Sequence, residues 1–487
     1  MSKHMLVSVA AAALIASAPA LAASPRQDAA QPSARHPPNI VVIISDDQGW
    51  KDVGYHGSDI KTPNIDALAA GGARLEQFYA QPMCSPTRAA LMTGRYPFRY
   101  GLQIAIGSAH TYGLPTDERL LPQALKEAGY ETVLIGKWHL GHADRKYWPL
   151  ERGFDHHYGP LLGEIDHFTH KQHGVLDWYR DGRSVYEPGY STTLLGNAAV
   201  KLIETHDPKV PLFLDLAFNA PHAPFQAPQA DLDRYKDIAD PSRQAYAAQV
   251  SVMDDEIGKV VKALDDRGMR DNTLTIFQSD NGGTRNPMFS GEVDTSTLKS
   301  LPPDNGPYRE GKGTVYEGGT RVVAIANWPG RVKPGTVVDE MIHEVDLYPT
   351  LLNLAGASAA KAKQPLDGLD VWGTISQGEP SPRTEIVYDI QPFRAGVRQG
   401  DWKLVWRTPL PQAVELYDIA KDPSEKENVA AANPDEVARL QKRGNELAAD
   451  MIPPLALQTE FKAMKERLSL PPALPDADLL MGAEEAR

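Results

Sequence analysis

The single cysteine of the chain, Cys84, opens the run Cys84-Ser85-Pro86-Thr87-Arg88. Ala89-Ala90-Leu91-Met92 follows with helix-forming character, which places the thiol where a helix begins. Free N–H groups of a first turn make a positive field there, and Arg88 falls one turn along on the same side. Such a corner receives an anion. Taken alone, a single cysteine is most often a small buried hydrophobe, so its polar company decides between the two readings.

That company stands at the ends of short apolar runs. Ile40 to Ile44 leads into Ser45-Asp46-Asp47, and Thr132 to Ile135 leads into Gly136-Lys137-Trp138-His139. Leu212 to Phe218 leads into Asn219-Ala220-Pro221-His222, while Thr273 to Phe277 leads into Ser279-Asp280-Asn281-Gly282-Gly283. The runs are β-branched and barely alternate, as strands buried on both faces of a mostly parallel sheet do. In open α/β sheets, ligands bind beyond the carboxyl ends of the strands. Parallel neighbours would therefore bring all these groups to one pocket.

Helices join the runs. Thr62 is placed to cap a helix that starts at Pro63, carries Ile65, Leu68 and Ala69, and stops at Gly71-Gly72. A second helix is expected from Arg243 to Arg267, with Val250, Met253, Ile257, Val260, Val261 and Leu264 on one face. Beyond residue 375 the style changes to short strands at Ile386 to Ile390, Gly396 to Trp406 and Glu415 to Tyr417, then a charged, Ala-rich helix from about Asp435. The fold class that follows is α/β: a large, mostly parallel sheet flanked by helices over residues 39–375, with a smaller C-terminal α+β domain over 376–487 closing the sheet edge. Residues 465–487, with several Pro and acidic residues, are expected to be loosely held.

The N-terminus reads as an address. Lys3 and His4 precede an apolar run from Met5 to Ala18, and Ala20-Leu21-Ala22 offers a small-x-small cleavage site, so residues 1–22 are expected to be a secretory signal. Residues 23–38, rich in Ala, Gln, Pro and Ser, follow as a linker. No later run approaches the roughly 20 apolar residues of a membrane span, and the expected location is periplasmic or secreted. A net charge of -13 argues against nucleic acid, which is bound by clustered Lys and Arg. One thiol forms no disulfide within the chain.

Cys84-x-Pro86-x-Arg88, continued by Leu91-x-Thr93-Gly94-Arg95, resembles the signature of type I sulfatases, in the alkaline phosphatase superfamily. The likeness runs from Asn39 to about Trp372, through Asp46-Asp47, Gly136 to Gly141, Arg152-Gly153-Phe154-Asp155, Asp280 to Gly283 and Glu317-Gly318-Gly319. Within the family it leans toward the arylsulfatase B, or N-acetylgalactosamine-4-sulfatase, type, with which Asp46 to Asp66 and Pro365-Leu366-Asp367-Gly368 also agree.

The resemblance implies that a separate maturation enzyme oxidises Cys84 to formylglycine, whose hydrated form is the nucleophile. Sulfate bound to such a diol can be expelled as the aldehyde returns, where an ordinary hydroxyl would stay sulfated. Asp46, Asp47, Asp280 and Asn281 offer only oxygen, which suits Ca2+ with about 6 to 8 oxygen ligands, and the group at position 84 completes that set. Asp280 is implied as a base. Arg88 and Lys137 are implied to hold diol and sulfate charge, Lys312 to bind sulfate near the leaving oxygen, His222 to protonate the leaving alcohol and His139 to release sulfate. The substrate is implied to be a sulfated saccharide or an aryl sulfate.

Two rival readings remain. Phosphonate monoester hydrolases and phosphodiesterases share the nucleophile motif, although the Asp280-Asn281 pair favours one calcium over a His-rich metal set. A binder of sulfated glycans would keep Cys84 as a thiol. For His56, His142, His156, His157, His167, His170 and His173 a structural role is the reading, with the stretch from Glu164 to His173 as a candidate lining of the substrate entrance.

Overall fold

Unbroken apolar runs form strands at Asn39–Ser45, Glu131–Gly136, Leu212–Ala217 and Thr273–Ser279, and apart from Glu131 every residue in them is buried. These four lie side by side and parallel, in the order Thr273–Ser279, Asn39–Ser45, Leu212–Ala217, Glu131–Gly136. Register aligns Ser45 with Ser279, Ile44 with Ala217 and Ala217 with Gly136, so the four strands end at one level. Six shorter strands extend the sheet to ten. Ala324–Asn327, Ala73–Leu75 and Thr336–Val338 lie on one side, and His156–Gly159, Tyr179–Arg180 and Arg183–Ser184 on the other.

A computed structural model describes residues 37–286, 288, 301–358, 362, 364–408 and 413–469. The expected signal segment, most of the expected linker and the last part of the expected tail lie outside these residues. Among the described residues, no helix is long and apolar enough to cross a membrane.

Burial on both faces explains the lack of alternation in the strands. Ile40, Val42 and Ile44 face one core layer with Ala89, Leu91 and Met92 of the helix Cys84–Thr93. Val41 and Ile43 face another, built with Leu195, Ala199 and Ile203 of Ser191–Thr205 and with Met253, Ile257, Val260 and Leu264 of Pro241–Asp266. The long helix starts two residues before the expected Arg243, because Asp240 caps it by accepting from the Ser242 N–H and Pro241 fills its first position. Pro63–Ala70 forms as expected, but Thr62 does not cap it. Its hydroxyl donates to Asp66 at 3.0 Å and accepts from the Gly54 N–H at 2.7 Å, bracing the preceding turn instead.

Four antiparallel strands, Glu385–Gln391, Arg394–Gln399, Trp402–Arg407 and Ala413–Asp418, make the C-terminal sheet. The expected strand from Gly396 to Trp406 is two strands, since Gly400, at φ 57°, turns the chain back. Pro434–Ala449 covers this sheet, with Leu440 packed on Leu404 and Leu416. A buried ionic knot fastens it to the short helix Glu317–Thr320: Lys403 Nζ lies 2.8 Å from Glu317 and 2.9 Å from Glu425, and the Tyr79 and Tyr388 hydroxyls donate to Glu317. The tail begins with order, as a helix from Leu455 to Ser469.

Gly136 ends its strand at φ 119°, and a Cβ there would fall 1.8 Å from the Ala217 carbonyl oxygen. That backbone region is nearly exclusive to glycine and costs other residues about 1–3 kcal/mol before any clash. Gly136→Ala is therefore expected to lower the unfolding free energy by more than about 2 kcal/mol in urea titration. An unchanged midpoint would show that the strand end tolerates a side chain.

Candidate active site

Each strand end hands its next residues to the same place. The Asp46 N–H donates to the Ala220 carbonyl, Asp280 N–H to Ser45 and Lys137 N–H to Ala217, at 3.0, 3.0 and 2.8 Å. These cross-strand bonds continue the ladder one step past the sheet and set three polar side chains side by side. Asp47 turns at φ 63°, a left-handed conformation that Asp tolerates better than most residues.

Three carboxylates, Asp46, Asp47 and Asp280, face three cations, Lys137, Lys312 and Arg88, and all six are buried. Lys137 Nζ donates to Asp46 Oδ2 at 2.6 Å, and Lys312 Nζ to Asp47 Oδ2 at 2.8 Å. Arg88 reaches from its helix to donate to Asp280 Oδ2 through Nε at 3.2 Å and Nη2 at 2.8 Å, while Nη1 donates to the Lys137 carbonyl at 2.9 Å. Burial alone would neutralise these groups. It opposes the charge of Asp46, but Lys137, His222 and Arg88 outweigh it and hold that carboxyl below its usual range. Burial likewise works against the charges of Lys312 and Arg88, and their carboxylate partners raise both above their ordinary values.

Cys84 is the first residue of its helix, with Sγ 3.6 Å from Asp46 Oδ1. Burial first, and then the Asp280 charge, push its thiol up to about 12, despite Lys137 and Lys312. The helix start does not make a reactive thiolate here. Ligand atoms of Asp46, Asp47, Cys84 and Asp280 all lie within 4.8 Å of one another. Asn281 turns its Nδ2 to Asp47 Oδ1 at 2.7 Å, which leaves its buried Oδ1 with no partner among the described residues. A cluster of carboxylates with an orphaned amide oxygen fits a hard divalent cation.

Two histidines flank the cluster in different hydrogen-bonding surroundings. His139 Nε2 lies 2.8 Å from the Ile106 carbonyl, so Nε2 carries the hydrogen and the buried Nδ1 has no partner among the described residues. Burial, reinforced by Lys137, holds this imidazole well below its ordinary range, hence neutral. His222 places Nδ1 2.6 Å from the Ala223 carbonyl, and Nε2 faces Lys312 Nζ at 3.2 Å and Asp47 Oδ2 at 3.5 Å.

The structure thus joins Asp46, Asp47, Cys84, Arg88, Lys137, His222, Asp280, Asn281 and Lys312 into one network, with His139 beside it. Sequence reasoning missed the groups behind them. Gly163 leaves room for the His139 ring, since a Cβ there would meet the ring at 2.5 Å. Buried Asp177 holds that loop by accepting from the Leu161 and Leu162 N–H groups. Both amide atoms of buried Asn219 lack a partner among the described residues. Ile106 acts through its carbonyl, which its side chain does not announce. Among the histidines given a structural reading, His167 is fully buried against the back of the His222 loop, within 3.2 Å of the His222 carbonyl, and does not line an entrance.

Comparison with known proteins supplies independent findings. The family model for sulfatase matches residues 38–357, and that for N-sulphoglucosamine sulphohydrolase, C-terminal, matches 310–450. Arylsulfatase J of Mus musculus is 40% identical over 391 residues, 78% of this chain but only 63% of that protein, so the chain spans less than two thirds of this relative. N-acetylgalactosamine-6-sulfatase of Homo sapiens is 36% identical over 380 residues, 73% of this chain and 69% of the relative. The crystal structure of Ps i-CgsB in complex with k-i-k-neocarrahexaose matches with a TM-score of 0.78 at 33% identity, covering 86% of this chain and 94% of that one.

A thiol held at about 12 is almost wholly protonated at pH 8, whereas an unfolded cysteine near 8.5 is about one quarter thiolate. In chain retaining Cys84, iodoacetamide is expected to label the folded protein at least about 10³-fold more slowly than the urea-unfolded chain. Labelling within about tenfold of the unfolded rate would contradict this environment.

Proposed function

The chain belongs to the sulfatase family, and on that premise we propose that it hydrolyses sulfate esters of saccharides, with residue 84 as formylglycine and one Ca2+ in the acidic cradle. The observation that carries this reading is the closed set of three buried ion pairs around Cys84, with an unpartnered Asn281 oxygen beside them. The saccharide class rests on one relative named N-acetylgalactosamine-6-sulfatase and on a solved relative that holds a neocarrahexaose.

Calcium held by Asp46, Asp47, Asp280 and Asn281 would neutralise sulfate charge and polarise the ester. Formylglycine at position 84 would supply the hydroxyl that a protonated thiol cannot. The chain's own side chains do the rest. Lys137, Lys312 and Arg88 are fixed donors that need no reorganisation when an anion arrives. Asp280, already oriented by Arg88, is placed to take a proton from the attacking group. His222 directs Nε2 into the cluster beside Lys312, where a leaving oxygen bound by Lys312 would take its proton. His139, neutral with Nδ1 unpaired, accepts the proton that must leave residue 84 when sulfate is released. Proton transfer of this kind contributes typically about 10² to 10⁴ in rate, so the charge array carries much of the remaining acceleration. Export by the first 22 residues and maturation by a formylglycine-forming enzyme belong to the same proposal.

Mass spectrometry of the peptide containing residue 84, taken from active protein, is expected to show sulfur replaced by oxygen. Active protein with the thiol intact would remove the proposed nucleophile. Cys84→Ala should abolish turnover yet leave the unfolding midpoint within the scatter of a surface substitution. Chelation by EDTA is expected to remove activity that Ca2+ restores and Mg2+, with its stricter octahedral demand, restores poorly. Turnover of aryl phosphonates in preference to matched sulfates would transfer the chain to the phosphonate hydrolase reading.

A further inference from the structure

The loop that carries His222 leaves the end of the Leu212–Ala217 strand and turns two carbonyls inward, those of His222 and Pro224. Buried carbonyls need donors. Gln249 Nε2 lies 3.3 Å from the His222 oxygen, 3.2 Å from the Pro224 oxygen and 3.0 Å from His167 Nε2, so its two hydrogens serve three neighbours. Gln249 sits fully buried in the middle of the helix Pro241–Asp266, between Ala248 and Val250. An unsatisfied buried amide is costly there, yet its Oε1 has no partner among the described residues, so the donor half alone accounts for a polar residue in that place. His167 Nε2 approaches the same His222 oxygen at 3.2 Å, and its Nδ1 lies 2.8 Å from the Ser191 hydroxyl at the start of another helix. Two helices of the core thus hold the loop through its carbonyls, Pro241–Asp266 by way of Gln249 and Ser191–Thr205 by way of His167.

We propose that Gln249 and His167 are positioning residues that hold the His222 loop so that the imidazole points at the leaving oxygen. The proposal rests on the reading of His222 as the proton donor. The backbone of this loop sets the direction of the ring, because Nδ1 is bonded to the Ala223 carbonyl next door in the chain. Releasing the two carbonyls frees the loop, and a misplacement of about 1 Å at a reacting group costs roughly 10²-fold in rate. Neither residue touches the charge cluster, so sulfate binding should survive their loss.

The test uses two aryl sulfates that differ in the basicity of the phenol released. The 4-nitrophenyl ester leaves without help, and the 4-methylphenyl ester needs a proton. Gln249→Met keeps length and removes the donor. It is expected to lower kcat on 4-methylphenyl sulfate about 10²-fold, to change kcat on 4-nitrophenyl sulfate less than about threefold, and to leave KM for both nearly unchanged. His222→Ala should show the same selectivity more strongly, and the double variant should lose no more than His222→Ala, because the two act as one unit. His167→Leu repeats the experiment should Gln249→Met fail to fold, and His167→Gln, which restores a donor, should recover most of the loss.

Equal losses on both esters in Gln249→Met and His167→Leu, or no loss on either, would overturn the positioning role while His222→Ala stays selective. If His222→Ala itself shows no selectivity, the proton-donor reading falls and takes the positioning role with it.

Discussion

Six opposite charges buried at one rim of a sheet must be paired, because an isolated ion in that setting costs several kcal/mol. Each pair here joins distant parts of the chain: Arg88 with Asp280, Lys137 with Asp46, Lys312 with Asp47. Removing one member strands its partner in the interior, so the site and the sheet that builds it are not separable. The same enclosure makes the donors effective. The pairs polarise each other, and an anionic ester would meet charges that are already aligned.

Burial also sorts the titrating groups by what surrounds them. Arg88 and Lys312 gain more from their carboxylates than they lose by desolvation, and stay charged. Among the described residues, His139 has no carboxylate within hydrogen-bonding reach and a lysine nearby, and is neutral. Cys84 meets carboxylate and cation together, and desolvation decides the outcome in favour of the protonated thiol. With no cation in the acidic cluster, the thiol stays protonated among these charges.

Support for this array comes from two directions. Parallel strands in register bring the polar ends to one level, and the carbonyls of Ser45, Ala217 and Ala220 seat the first residues beyond them. Second, the C-terminal sheet is fastened by Lys403 between Glu317 and Glu425. Although burial opposes it, Lys403, Arg321 and Arg398 keep the Glu317 carboxyl well below its usual range. This second set of buried charges lies a few residues along the chain from Lys312. The Arg394 side chain, from the same small sheet, donates to the carbonyl of Gly313 next to that lysine.

The amino-acid sequence alone determined the four strands, their polar ends and the residue types that meet there, because burial on both faces and charge at strand ends are local patterns. It also carried the motif around Cys84 and the helices at Pro63 and Pro241 to within a few residues. Local cues misled where a competing partner lay nearby: Thr62 braces a turn through Asp66, and Gly400 divides a run that reads as one strand. Only the tertiary structure decided which charge pairs with which, which histidine nitrogen is free, and that Ile106, Asp177 and Gln249 stand behind the site. The physical reason is distance and type of contact. Arg88 and Asp280 are 192 positions apart, and a backbone carbonyl or a buried amide seeks whatever the packed chain brings to it, leaving no mark in the order of residues.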